Sequence, residues 1–268
     1  MPGVVLAILD APEGVPALLA AATCLAALSG GAALDALVVR APPEAAIVPS
    51  EQVLTARREQ ELRAIEEQRA LALATAADAW VRSTGHAVRL IDVEGLAYDT
   101  VAARGAEADF VVLPRPGAHP AETAQRALRA ALFGTGRPVL IAPPHPAEDF
   151  GHTVAVAWRD DGRVRNAVLP LLRMLPADAR LHVIEGTADD PSALRLPSIF
   201  TAHGVDAVLH PMRDGAGFAR ALLERAHHVG ADMLVMGAYA HSPLREAVFG
   251  GVTRYVLAHA DLPVLMRH

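Results

Sequence analysis

The sequence predicts an α/β fold: two doubly wound, five-stranded parallel-sheet domains in tandem. Three observations carry this. Short apolar runs alternate with helical stretches along the whole chain, the pattern of a parallel sheet covered on both faces. The chain is also written twice, since Ala108-Asp-Phe-Val-Val-Leu-Pro114 matches Ala231-Asp-Met-Leu-Val-Met-Gly237, and a Pro-Val-Leu follows each, at Pro138 and at Pro263. Finally, 268 residues with 52% hydrophobic content can fill two cores of ordinary size.

In the first copy, strands are expected near Val4–Leu9, Ala36–Val39, Ala87–Ile91, Phe110–Leu113 and Val139–Ala142. In the second they are expected near Val154–Trp158, Arg180–Ile184, Asp206–Leu209, Met233–Met236 and Val264–Met266. The opening strands lie 149 residues apart (3 to 152) and the Ala-Asp pairs 123 apart (108 to 231), so the first copy carries 26 extra residues between these landmarks. The surplus falls in Ser50–Ser83, where Val53, Leu54, Leu62, Ile65, Leu71 and Leu73 recur near helical spacing amid charges. That stretch reads as one long amphipathic helix, with Ser50 as its N-cap, Gly85 as its stop and a solvated charged face. Three prolines in Ala142-Pro-Pro-His-Pro-Ala-Glu-Asp-Phe-Gly151 prevent regular structure and mark the boundary. The expected domains are therefore 1–144 and 150–268.

Composition removes several chemistries. All 24 basic residues are arginine, which excludes a P-loop lysine, a kinase strand lysine and Schiff-base chemistry. The formal charge of -6, with no block of like charge, gives no nucleic-acid footprint. Cys24 is the single cysteine; within AAATCLAAL it reads as a small buried hydrophobe, and no internal disulfide can form. Val15–Val39 is apolar, but Gly30-Gly31 and Asp35 interrupt it and no basic residue precedes Arg40, so a cytoplasmic protein without a membrane partner is expected. The twelve histidines form no metal-ligand spacing, and no Gly-x-Ser-x-Gly elbow occurs, so neither a metal site nor a catalytic residue is expected. Paired acids such as Asp189-Asp190 read as loop solvation.

The segment Gly237-Ala-Tyr-Ala-His-Ser-Pro-Leu-Arg-Glu-Ala-Val-Phe-Gly-Gly251 leaves a strand at the sheet edge where open α/β sheets bind ligands. A glycine there permits positive φ and close backbone approach to an anion, and a helix starting near Gly250-Gly251 would aim its positive end at the same place. The run ADMLVMGAYAHSPLREAVFGGVTRYVLAHADLPVLMRH resembles the C-terminal signature of the universal stress protein family: glycine, two residues, glycine, nine residues, glycine, then serine or threonine, a helix and a final Pro-Val-Leu strand. Gly237, Ala240, Gly250 and Gly251 occupy the four slots. The first half resembles the family through strand order and the repeat, so the whole chain resembles a tandem member, a pseudo-dimer in one polypeptide with an adenine nucleotide alpha hydrolase-like fold.

The resemblance implies ATP or another adenine nucleotide as ligand, more readily in the second domain. Carried over by position, the candidate binding residues are Gly237, Gly250, and Asp160 or Asp161 after the first strand, with His241, Ser242, Arg245 and Thr253 close in sequence. Two slots depart from the family pattern. Ala240 adds a Cβ, at about 1 kcal/mol if positive φ is still required. Gly251 lacks the hydroxyl, a loss of about 1.5–3 kcal/mol toward phosphate. The loop of the first copy, Pro114-Arg-Pro-Gly-Ala-His-Pro120, has proline where the first glycine belongs, and Asp10 at the end of its first strand reads as a turn residue. Nucleotide binding is not expected there. The resemblance further implies pairing of the two halves through their last strands, Pro138–Ala142 and Pro263–Met266, with room for a further homodimer. The implied role is stress-responsive binding and regulation; a slow ATP-hydrolysing or nucleotidyl-type enzyme and a ligand-free protein-interaction scaffold stand as alternatives.

Overall fold

The structure is a computed structural model and describes residues 3–46, 55–117, 121–147, 149–159, 162–187, 190, 194–213, 215, 217–238 and 251–268. The first half contributes strands β1 (Val4–Ile8), β2 (Ala33–Arg40), β3 (Arg89–Glu94), β4 (Phe110–Pro114) and β5 (Val139–Ala142). Its helices are α1 (Val15–Leu28), α2 (Ala56–Thr84), α3 (Ala97–Ala106) and α4 (Glu122–Gly134). The second half contributes β6 (Thr153–Trp158), β7 (Arg180–Thr187), β8 (Ala207–Arg213), β9 (Met233–Gly237) and β10 (Val264–Arg267), with helices α5 (Gly162–Met174), α6 (Ser198–Ala202), α7 (Phe218–His228) and α8 (Gly251–His259). Every strand expected from the sequence is present, most of them one to four residues longer or shifted at an end.

All ten strands join in one sheet, ordered β3-β2-β1-β4-β5-β10-β9-β6-β7-β8. Each half has the same internal order, and every pairing is parallel except β5 with β10. That antiparallel pair matches Ile141 to Val264, Leu140 to Leu265 and Val139 to Met266. The pairing is self-complementary about Leu140 and Leu265, as a two-fold contact between equivalent strands must be. The last strand of each half therefore forms the seam.

Alternation along the strands sorts side chains to two faces. Val5 and Ala7 belong to the core layer that includes α1, α2 and α5, whereas Leu6 and Ile8 belong to the layer that includes α3, α4, α7 and α8. Both layers run across the seam. Cys24 lies buried in α1, its thiol donating to Asp149 Oδ1 at 3.3 Å, and burial pushes its pKa up to about 12. It is an inert packing residue. No helix among the described residues is long and apolar enough to cross a membrane.

The long insertion sits between β2 and β3, where the described residues of the second half hold only α6, 29 residues against 5. Its cap differs from the sequence reading. Thr55 is the N-cap, in extended conformation, its hydroxyl accepting from Arg58 N at 3.3 Å; Ser50 lies outside the described residues. Gly85 ends the helix as expected, with φ of 76° and its N–H bonded to Val81 O. Two further expectations fail. Ile65 and Leu71 are exposed while Leu73, Ala77 and Trp80 face the core, because α2 drapes only its C-terminal part over α1. The charged face is not all solvated, since Arg69 and Glu66 turn toward the ends of β1 and β2.

Candidate ligand sites at the two switch points

Strand order reverses between β1 and β4 in the first half and between β6 and β9 in the second, so each half has a switch point at its strand C-terminal edge. An aspartate holds the opposite end of each. Asp109 Oδ2 accepts from Val4 N at 2.9 Å; Asp232 accepts from Gly151 N, His152 N and Thr153 N at 2.8, 3.0 and 2.9 Å. These are the aspartates of the repeated Ala-Asp pair. Their repeat is legible in the sequence but their role is not: each fixes the start of the first strand of its half.

At the second switch point, Gly237 is the last residue of β9. Its φ is not positive, contrary to the reason first given for a glycine there. The glycine is required by packing instead. A Cβ at this position would lie 3.1 Å from Arg163 Cβ and from Val164 Cγ2 and 3.2 Å from Val164 N, all in the first turn of α5. The helix start therefore approaches the strand end as closely as backbone allows. Gly251 opens α8, and among the described residues nothing lies within 4 Å of where a Cβ would stand. Thr253, two residues on, is buried at 4% exposure and packs within the fold. Asp160, Asp161, Ala240, His241, Ser242, Arg245 and Gly250 lie outside the described residues. Among the sequence candidates, the structure thus describes Gly237, Gly251 and Thr253.

The first switch point carries a cleft of about 380 Å³. It is lined by residues from the ends of β1, β2, β4 and β5, the starts of α1 and α3, and α4, and Arg69 reaches it from α2. Arg69 donates to Asp10 O at 3.4 Å, to Val39 O at 2.5 Å and to Glu66 Oε2 at 2.9 Å, and Glu66 in turn accepts from Ala41 N at 3.1 Å. Arg115, just after β4, donates to Ala260 O at 2.6 Å across the seam. Neither arginine was singled out from the sequence. Arg69 had no signal beyond its place in a charged helix, whereas Arg115 sat in the irregular loop already compared with the glycine loop. Among the described residues no group of three or more His, Cys, Asp or Glu could hold a metal.

Two repeated doubly wound units, joined through their last strands and each with a switch-point edge, define a tandem α/β fold. The universal stress protein family profile matches residues 162–268. That match lies within the second half of the chain. Along its whole length the chain shares its fold with solved structures. A universal stress protein from Archaeoglobus fulgidus is 16% identical, with 99% of this chain and 96% of that chain covered and a TM-score of 0.68. A functionally unknown protein from Pseudomonas aeruginosa is 18% identical, with 99% and 92% covered and a TM-score of 0.58. A search of curated proteins found no match.

Proposed function

We propose that this chain is a stress-responsive binding and regulatory protein of the cytoplasm, and that its second half takes an adenine nucleotide at the β6/β9 switch point. The observation that carries this reading is the close approach of α5 to Gly237, which brings the helix N-terminal N–H groups and their positive dipole end to the strand edge. α8 begins at Gly251, where among the described residues nothing stands within 4 Å of the place a Cβ would take. The family's spacing of glycines supports the same site.

The test begins with the protein as purified: denature it and analyse the released small molecules, then titrate fresh protein with ATP. A valine at position 237 would drive its Cβ and methyls into Val164, so Gly237→Val should weaken ATP binding at least about tenfold. No released nucleotide together with no binding at about 1 mM ATP would overturn the reading. Phosphate release during the titration would instead identify the slow hydrolase.

A further inference from the structure

The first-half cleft differs chemically from a phosphate cradle. Four prolines stand in its lining, Pro114, Pro116, Pro143 and Pro144, and none has an N–H to donate. Neighbouring N–H groups are spent inside the protein, Arg115 N on Ala142 O at 2.7 Å and Gly14 N on Ala11 O at 3.1 Å. Pro12 and Pro16 remove two more donors where α1 begins, and Glu13 adds a negative charge there. A polyphosphate at the start of α1 would meet the Asp10 and Glu13 carboxylates, while Arg69 and Arg115 are engaged by protein oxygens. Apart from Asp10, Glu13, Arg69, Arg115 and Thr123 the cleft walls are apolar, with Leu9, Val15, Leu18, Leu113 and Leu128 among them. Its volume lies within the range of small-molecule sites.

Asp10 is the polar group left over. Arg69 takes the Asp10 backbone oxygen, and among the described residues no hydrogen-bond donor or ion-pair partner sits on the carboxylate. Burial holds its pKa above the usual carboxylate value; Arg69 opposes that shift and Glu13 adds to it. Both guanidinium groups in the lining already donate to protein oxygens, Arg69 to three and Arg115 to one. A ligand that suits this cleft therefore brings a donor or a positive charge on an apolar body.

We propose that the first-half cleft binds a compact, mostly apolar molecule bearing an amine, whose N–H groups donate to the Asp10 carboxylate. The site is separate from the second-half nucleotide site and stands or falls without it. The apolar body would lie against Leu18, Leu113 and Leu128, with the amine toward Asp10 and Glu13.

The test uses the full chain with 2-phenylethylamine as probe, titrated by calorimetry beside its neutral counterpart 2-phenylethanol and beside ATP. Expected is saturable binding of the amine at about millimolar concentration or tighter, with the alcohol at least tenfold weaker. Asp10→Asn, which keeps the shape and removes the charge, should weaken the amine about tenfold and leave the alcohol unchanged. Ala124→Phe should block both by filling the cleft, while Gly237→Val should leave both intact. Thermal melts of each variant separate lost binding from lost folding, and the amine-to-alcohol preference of the wild-type chain decides the matter where a variant melts early. The proposal is overturned if the wild-type chain shows no preference for the amine, if Asp10→Asn binds it equally, or if ATP competes with it.

Discussion

His182 Nδ1 and His210 Nε2 lie 2.9 Å apart on neighbouring strands β7 and β8, so one ring must donate while the other accepts. Burial lowers the pKa of both, helped at His182 by Arg180 and at His210 by His182, Arg225 and His228. The folded state therefore binds fewer protons here than the unfolded chain, whose histidines titrate near 6.5. The stability this pair contributes is complete above that value and is lost as pH falls below it. Urea midpoints measured at successive pH values should fall between neutral pH and about pH 5.5, and His210→Asn should flatten that slope. An unchanged slope would assign the acid sensitivity to other groups.

At the scale of elements, α2 separates the two halves of an otherwise repeated chain. Of the six apolar residues read as its stripe, Val53 and Leu54 lie outside the described residues, and packing buries Leu73 but leaves Ile65 and Leu71 exposed. Leu73 is fully buried against α1 whereas Leu71, two residues before, is 68% exposed. Leu73→Ala should cost about 2–4 kcal/mol by the lost transfer energy and the cavity left behind. Leu71→Ala should change stability by less than about 0.5 kcal/mol. Chemical denaturation of the two variants checks the assignment, and equal losses would contradict the observed helix rotation. In α5, Pro170 leaves the Asn166 carbonyl without its helical N–H partner, and Arg267 from β10 supplies a donor at 3.4 Å.

That same Arg267 donates to Gly136 O at 3.0 Å in the first half, and Phe133 stacks edge-on against His268 at 4.8 Å between centroids. With Arg115 on Ala260 O, side chains from both halves reinforce the three residue pairs of the seam at the scale of the whole molecule. Arg267→Met keeps the aliphatic stem and removes the donors, so it should lower stability by about 1 kcal/mol. A single cooperative unfolding transition is expected before and after the change, because both core layers cross the seam. Two resolved transitions in the wild-type chain would show that the halves unfold independently.

Local pattern alone determined the ten strands, the internal repeat, the place of the insertion and the class of fold, since these depend on periodicity and on residues such as Pro138, Pro263 and the paired aspartates. It also singled out Gly237, though for the wrong reason: strand φ is ordinary there, and only the neighbouring helix start shows what a Cβ would strike. The cleft beside Asp10 was invisible in sequence because its parts, from Ile8 at the end of β1 to Pro144 just after β5, are far apart in the chain and brought together only by strand order. Charge on a helix cannot announce that Arg69 turns inward. Sequence period sets which face a residue takes, whereas the tertiary fold decides which faces meet, and a binding site is made of faces that meet.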